Sequence, residues 1–146
     1  MSTKRQQTGE DYPEAAFKHC EDARHLMSGN RPDGAAYLAG YAVECTLKTL
    51  VQVEAGNARL IRSHNLNDLS SQALRLAATA TSKTAKYISA PTVTTLNYGQ
   101  PPAGWVEYLR YFPAGTIPAP TAEQWVTEAE RLYTELIGEL RKDGEI

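Results

Sequence analysis

Three groupings of residues in this 146-residue chain have types and spacings that could do chemistry. The first is Arg59-Leu60-Ile61-Arg62-Ser63-His64, an arginine and a histidine separated by four residues. An imidazole near a guanidinium can draw the proton from a ribose 2′-OH as it attacks its phosphate, while the guanidinium holds charge on the oxygens. The plain alternative is that His64 caps a helix or packs under the preceding loop. The second grouping is Tyr37, Tyr41, Glu44 and Lys48. At about 100° per residue these four fall in one narrow helical stripe, a polar patch that could face a cleft or a symmetry mate. Read plainly, Glu44 and Lys48 are an i, i+4 ion pair worth ~0.3–0.5 kcal/mol, and two tyrosines suit a half-buried face. The third is Arg110 beside Trp105, Tyr108 and Tyr111, which could stack on a base or pair with a phosphate. Equally, Arg110 could anchor a proline-rich loop by bonding carbonyls.

Other chemistries lack the spacing they need. His19, His25 and His64 form no HExxH motif and no paired Cys/His set, so no metal is expected. Neither a GxGxxG, a P-loop nor a Gly-x-Ser-x-Gly is present, so no cofactor is expected either. Lys plus Arg is 15 and Asp plus Glu is 17, a net charge of −2, which does not suit coating a long nucleic acid. A local basic patch could still meet RNA. With 42% hydrophobic and 22% charged residues the composition is globular. No apolar run reaches the ~18 residues of a membrane span, and the polar start of the chain has no apolar h-region. Cys20 and Cys45 are too few for a disulfide framework, and free thiols suit a cytoplasmic protein.

The positioning elements read as helices. Residues 1–11 look like a frayed tail and 12–142 like one helical domain. The first helix begins near Pro13, with Asp11 as its cap, and buries Ala16, Cys20, Ala23 and Met27 at helical spacing. The second runs from about Asp33 to Glu54 and stops at Gly56. Its stretch Gly34 to Val43 carries no charge, so it must be surrounded by protein: it is the centre of the fold or a dimer contact. Asn65 and Asp68 resemble a capping box at the start of the third helix, which buries Leu66, Leu69, Ala73, Leu76 and Ala77. A weak continuation from Ala80 to Ile88 is possible. Six of the eight prolines then fall in residues 90–120, as do Trp105, Tyr108, Tyr111 and Phe112. A loop of that length is uncommon without a binding or lid role, unless Gly104–Tyr111 forms a short helical piece. Thr121 and Gln124 form a capping box for the last helix, which ends near Lys142. The fold class is therefore all-α, an up-and-down bundle of four to five helices with a Pro/aromatic-rich loop before the last.

The order of these pieces resembles a known family. Tyr37-Leu-Ala-Gly-Tyr-Ala-Val-Glu-Cys-Thr-Leu-Lys48 is similar to the central helix of HEPN domains, and His64-Asn-Leu-Asn-Asp-Leu69 to the His-x-Leu-x-x-Leu that opens their next helix. Leu109-Arg-Tyr-Phe-Pro113 looks like the family's Arg-Tyr-Pro segment with one inserted Phe. The resemblance covers roughly residues 13–140. It implies a helical bundle that commonly dimerises and belongs to bacterial toxin–antitoxin or defence modules, often beside a nucleotidyltransferase. Many members are metal-independent RNases with an Arg-x4-6-His motif near the start of the last major helix. Here no histidine follows His64, and Arg59 with His64 lies in the connection after the second helix. The resemblance therefore points to the non-nuclease branch. The leading expectation is a dimeric, non-catalytic module that binds a partner protein or a nucleotide-like ligand, with Tyr37, Tyr41, Glu44, Lys48, Trp105, Tyr108, Arg110 and Tyr111 as its contact residues. The alternatives are an RNA endonuclease using Arg59 and His64, and a substrate of a nucleotidyltransferase modified on a tyrosine such as Tyr108 or Tyr111.

Overall fold

The computed structural model describes residues 7–56, 61–79, 82, 84–85 and 96–146. Helix α1, Tyr12–Ser28, starts where Asp11 accepts a hydrogen bond from the Glu14 N–H at 3.3 Å, with proline in its first turn. It buries Ala16, Cys20 and Ala23, while Met27 packs half-buried at the core edge. Helix α2, Pro32–Ala55, ends at Gly56, whose φ of 72° is the left-handed closure that lacks a Cβ penalty. The α1–α2 connection is short, so the two helices run antiparallel: Tyr12 meets Lys48 and His19 meets Tyr41.

Most of the charge-free stretch is covered within one chain. Ala35, Ala36, Ala39, Gly40, Ala42 and Val43 are buried against this chain's own core. Burial is in fact most complete further along, where every residue from Ala42 to Val53 is buried. Helix α2 is the central rod, wrapped by α1, by α3 (Leu66–Ala77) and by α4 (Ala119–Leu132). Tyr37, Leu38 and Tyr41 of the charge-free stretch stay half-buried.

Helix α3 is capped by Asn65, whose side chain accepts from the N–H groups of Asn67 and Asp68 at 3.0 and 3.1 Å. Asp68 thus enters the cap through its backbone. The possible continuation of this helix toward Ile88 falls largely outside the described residues.

The described part of the proline-rich segment is tightly folded. Trp105 N–H donates to Asn97 O at 2.8 Å, and Gly99 N–H returns a bond to Trp105 O at 3.1 Å. Glu107–Tyr111 forms a 3-10 turn, the short helical piece expected at 104–111. The Trp105 indole is fully buried, lies on Gly40 of α2 and donates from Nε1 to Tyr37 O at 3.0 Å. Asp33 ties down the following turn by accepting from Gly115 and Ile117 N–H, both at 2.9 Å.

The last helix corrects two expectations. It begins at Ala119, two residues before Thr121, with Pro118 at the cap and no side-chain cap bond. Prolines at 118 and 120 pre-set the backbone and remove an N–H that would otherwise need a partner, so no Thr121/Gln124 box forms. After Leu132 the chain widens into a π turn, Tyr133–Gly138, before a final α5, Glu139–Lys142. The wider turn shifts the helical register. It brings the neighbours Leu136 and Ile137 into the core together with Leu132 and Leu140. Arg24 clamps α1 to α4, reaching Glu130 at 2.6 Å and Glu123 at 2.9 Å.

Candidate functional site

The stripe on α2 becomes a site because of what packs against it. Glu44 and Lys48 are each only 4% exposed, and their charges meet at 3.2 Å. This is not the solvated surface pair expected from i, i+4 spacing. Two charges have left water, so removing either would strand the other. The second oxygen of Glu44 accepts from His64 Nδ1 at 2.7 Å. His64 arrives from the α2–α3 connection, twenty residues along the chain, and its side chain remains 44% exposed. Since a carboxylate accepts, Nδ1 is the donor, and Nε2 makes no hydrogen bond among the described residues.

Aromatic rings line this polar core. Tyr41 stands edge-on to Tyr37 at 5.1 Å, to Trp105 at 5.1 Å and to His64 at 6.2 Å. Burial, then the hydrogen bond with Tyr37, raises the Tyr41 phenol above its ordinary value, which keeps it neutral. Lys48 Nζ lies 5.3 Å from the centre of the Tyr12 ring. The Tyr12 hydroxyl bonds Ile61 O at 3.0 Å and holds the α2–α3 connection in place. Burial pushes the Cys45 thiol up to about 12, so it sits in the wall as a protonated, unreactive group. His19 leans toward Tyr41 with its rings 5.8 Å apart, and burial lowers its pKa.

Beside these groups a cleft of about 890 Å³ opens between α1, α2 and His64. Tyr12, Lys18, Tyr41, Glu44, Lys48 and His64 line it, with Asp11 at one end. On the far side of His64, Glu107 and Tyr98 share a short hydrogen bond. Burial opposes ionisation of Glu107, but the Tyr98 bond, its own backbone and the nearby His64 outweigh that and lower its pKa. Burial, then the bond to Glu107, pushes Tyr98 up to about 12.

The expected contact residues therefore divide. Tyr37, Tyr41, Glu44 and Lys48 come together with His64. Trp105 is fully buried, so it cannot stack on a base: it is a wedge in the core that supports Tyr37 and Tyr41. Arg110 is exposed, its guanidinium lies 4.9 Å from the centre of the Tyr111 ring, and the neighbouring Tyr37 and Tyr111 phenols raise its pKa. Tyr108 and Tyr111 are 39% and 75% exposed, the outermost aromatics of the turn. Arg59 lies outside the described residues, and with it the Arg59–His64 pairing. Sequence reasoning missed Tyr12, Lys18 and Asp11 as lining groups. The signal was the i, i+7 spacing of Asp11 and Lys18, which puts both on one face of the first helix.

Among the described residues no cluster of three or more His, Cys, Asp or Glu could hold a metal ion. None of their helices is long and apolar enough to cross a membrane. Comparison with protein-family models, with curated proteins and with solved structures returns no match to this chain.

Proposed function

We propose that this chain is a non-catalytic, HEPN-type binding module that takes a small polar ligand in the cleft between α1, α2 and His64. One observation carries the reading. A charged pair is buried in the middle of the central helix and connects, through His64, to an open cleft. A fold that needed only stability would fill those positions with apolar side chains at lower desolvation cost. Buried, coupled ionisable groups beside a cleft mark binding and catalytic sites more often than plain surface. The toxin–antitoxin or defence setting, with a nucleotidyltransferase as partner, enters through the family resemblance. A dimer using the charge-free stretch of α2 would meet its half-buried Tyr37, Leu38 and Tyr41, because the alanines and Val43 are covered by the chain itself.

The test is chemical-shift perturbation with a panel of nucleoside monophosphates, amino acids and amines, read at the His64 and Tyr41 rings. Binding in the cleft shifts both. If no solute moves either ring at millimolar concentration, the reading is wrong.

One feature favours an RNA endonuclease as the second reading. His64 is exposed and held through Nδ1, which leaves Nε2 free to take a proton from a ribose 2′-OH. RNA cleavage in EDTA that is lost in His64→Ala would support it. Equal background rates would remove it.

A further inference from the structure

We infer that the cleft takes a linear zwitterion, an organic molecule with an anionic head and a cationic amine at opposite ends of an apolar stem. This rests on the binding reading above and adds the ligand's chemistry. The lining charges that are not paired within the site are segregated by end. Asp11 caps the start of α1 and Lys18 lies two turns further along it, about 10 Å down the axis. Both line the cleft. Because α2 runs antiparallel, the Asp11 end is the Tyr12–Lys48 end, and the Lys18 end is the Tyr41–His64 end.

The charges between the ends are already used. Glu44 is shared by Lys48 and His64. Glu14 pairs with Arg141 at 2.8 Å. What is left for a ligand is polar in a fixed direction. At one end stand Asp11, which spends a single oxygen on the helix cap, and Glu10, whose carboxylate accepts from the Thr8 hydroxyl. At the other stands Lys18, which lines the cleft and makes no ion pair among the described residues. Tyr12, Ala15 and Tyr41 add apolar lining to the cleft and suit an aliphatic stem. A diacid would meet Asp11 and Glu10 with like charge. A diamine would meet Lys18 the same way, and only a molecule of mixed charge satisfies both ends.

Calorimetry together with ring-proton NMR at His64 and Tyr41 tests this with ω-aminooctanoate, octanediamine, octanedioate and the shorter ω-aminobutanoate. The zwitterion of full length binds about tenfold tighter than the diamine, the diacid or the short homologue. Lys18→Gln and Asp11→Asn each weaken it about threefold. Asparagine still caps α1, so the second variant keeps the helix start, and circular dichroism checks that both variants are folded. A diamine or diacid that binds as tightly, or affinity untouched by both substitutions, overturns the inference. If other solutes shift His64 and Tyr41 while ω-aminooctanoate does not, the zwitterion is refuted and the cleft stands. If nothing shifts them, both fall.

Discussion

Gly40→Ala is the sharpest perturbation available in this molecule, because ordinary helix rules and tertiary packing predict opposite signs. In an exposed helix interior, alanine is favoured over glycine by about 1 kcal/mol. Here a Cβ on Gly40 would lie 2.0 Å from Trp105 Nε1 and 2.1 Å from Cε2, where heavy atoms need about 3.5 Å. The indole must move by more than 1 Å on the order of a full bond length. It has nowhere to go: Trp105 is fully buried, with Tyr41 at 5.1 Å and Tyr98 at 6.4 Å. Moving it breaks the Nε1 bond to Tyr37 O, about 1 kcal/mol, and overpacks the core by a further 1–3 kcal/mol or so. Setting the alanine gain against these losses leaves a net destabilisation of about 1–3 kcal/mol. Urea unfolding reads it directly as a lower midpoint at unchanged slope, and Tm falls by about 3–10 °C. In a Trp105→Leu background the same substitution costs less, because the atom it strikes is gone. An unchanged or raised midpoint for Gly40→Ala in the otherwise native chain would refute the packing of Trp105 on α2, and with it the support of Tyr41 beside the cleft.

Three further outcomes follow from the same geometry. Glu44→Ala strands Lys48 in the core and costs about 3–5 kcal/mol, while Glu44→Leu with Lys48→Leu restores most of it, measured by urea midpoint. Asp33→Ala removes the acceptor for Gly115 and Ile117 N–H and costs about 1–3 kcal/mol, with faster hydrogen exchange at those two amides as the local readout. The folded-state pKa of Glu107 is depressed below its ordinary 4.5, so its contribution is present above that pH and is lost as pH falls through the lower folded value. Wild-type stability therefore declines more steeply than that of Glu107→Gln below about pH 4.5, and parallel acid limbs would contradict it.

Much of the bundle was legible because its signals are local. Asp11 and Asn65 sit where their side chains accept from exposed helix N–H groups, and Gly56 sits where the chain needs a positive φ. The start of α4 was misread because Thr121 and Gln124 have the right spacing for a cap. Two prolines had already begun the helix upstream, and one proline outranks an optional side-chain bond. The π turn at Tyr133–Gly138 left no mark in a period-based reading, since it shifts that period. At the site, the stripe Tyr37–Tyr41–Glu44–Lys48 was visible from its spacing. That its charged half is buried, and that His64 completes it, was not. Trp105 shows the converse: beside three exposed neighbours it reads as surface, yet it closes the core.

The amino-acid order alone set the helices, their caps and the charge-free segment that had to be covered, because each depends on neighbours within a few residues. The tertiary structure decided what covered that segment, which carboxylate met which imidazole, and that Asp11 and Lys18 face α2 across an open cleft. Those outcomes depend on contacts between residues 20 to 68 positions apart in the chain, where backbone geometry is shared by no local rule and packing alone selects the partner.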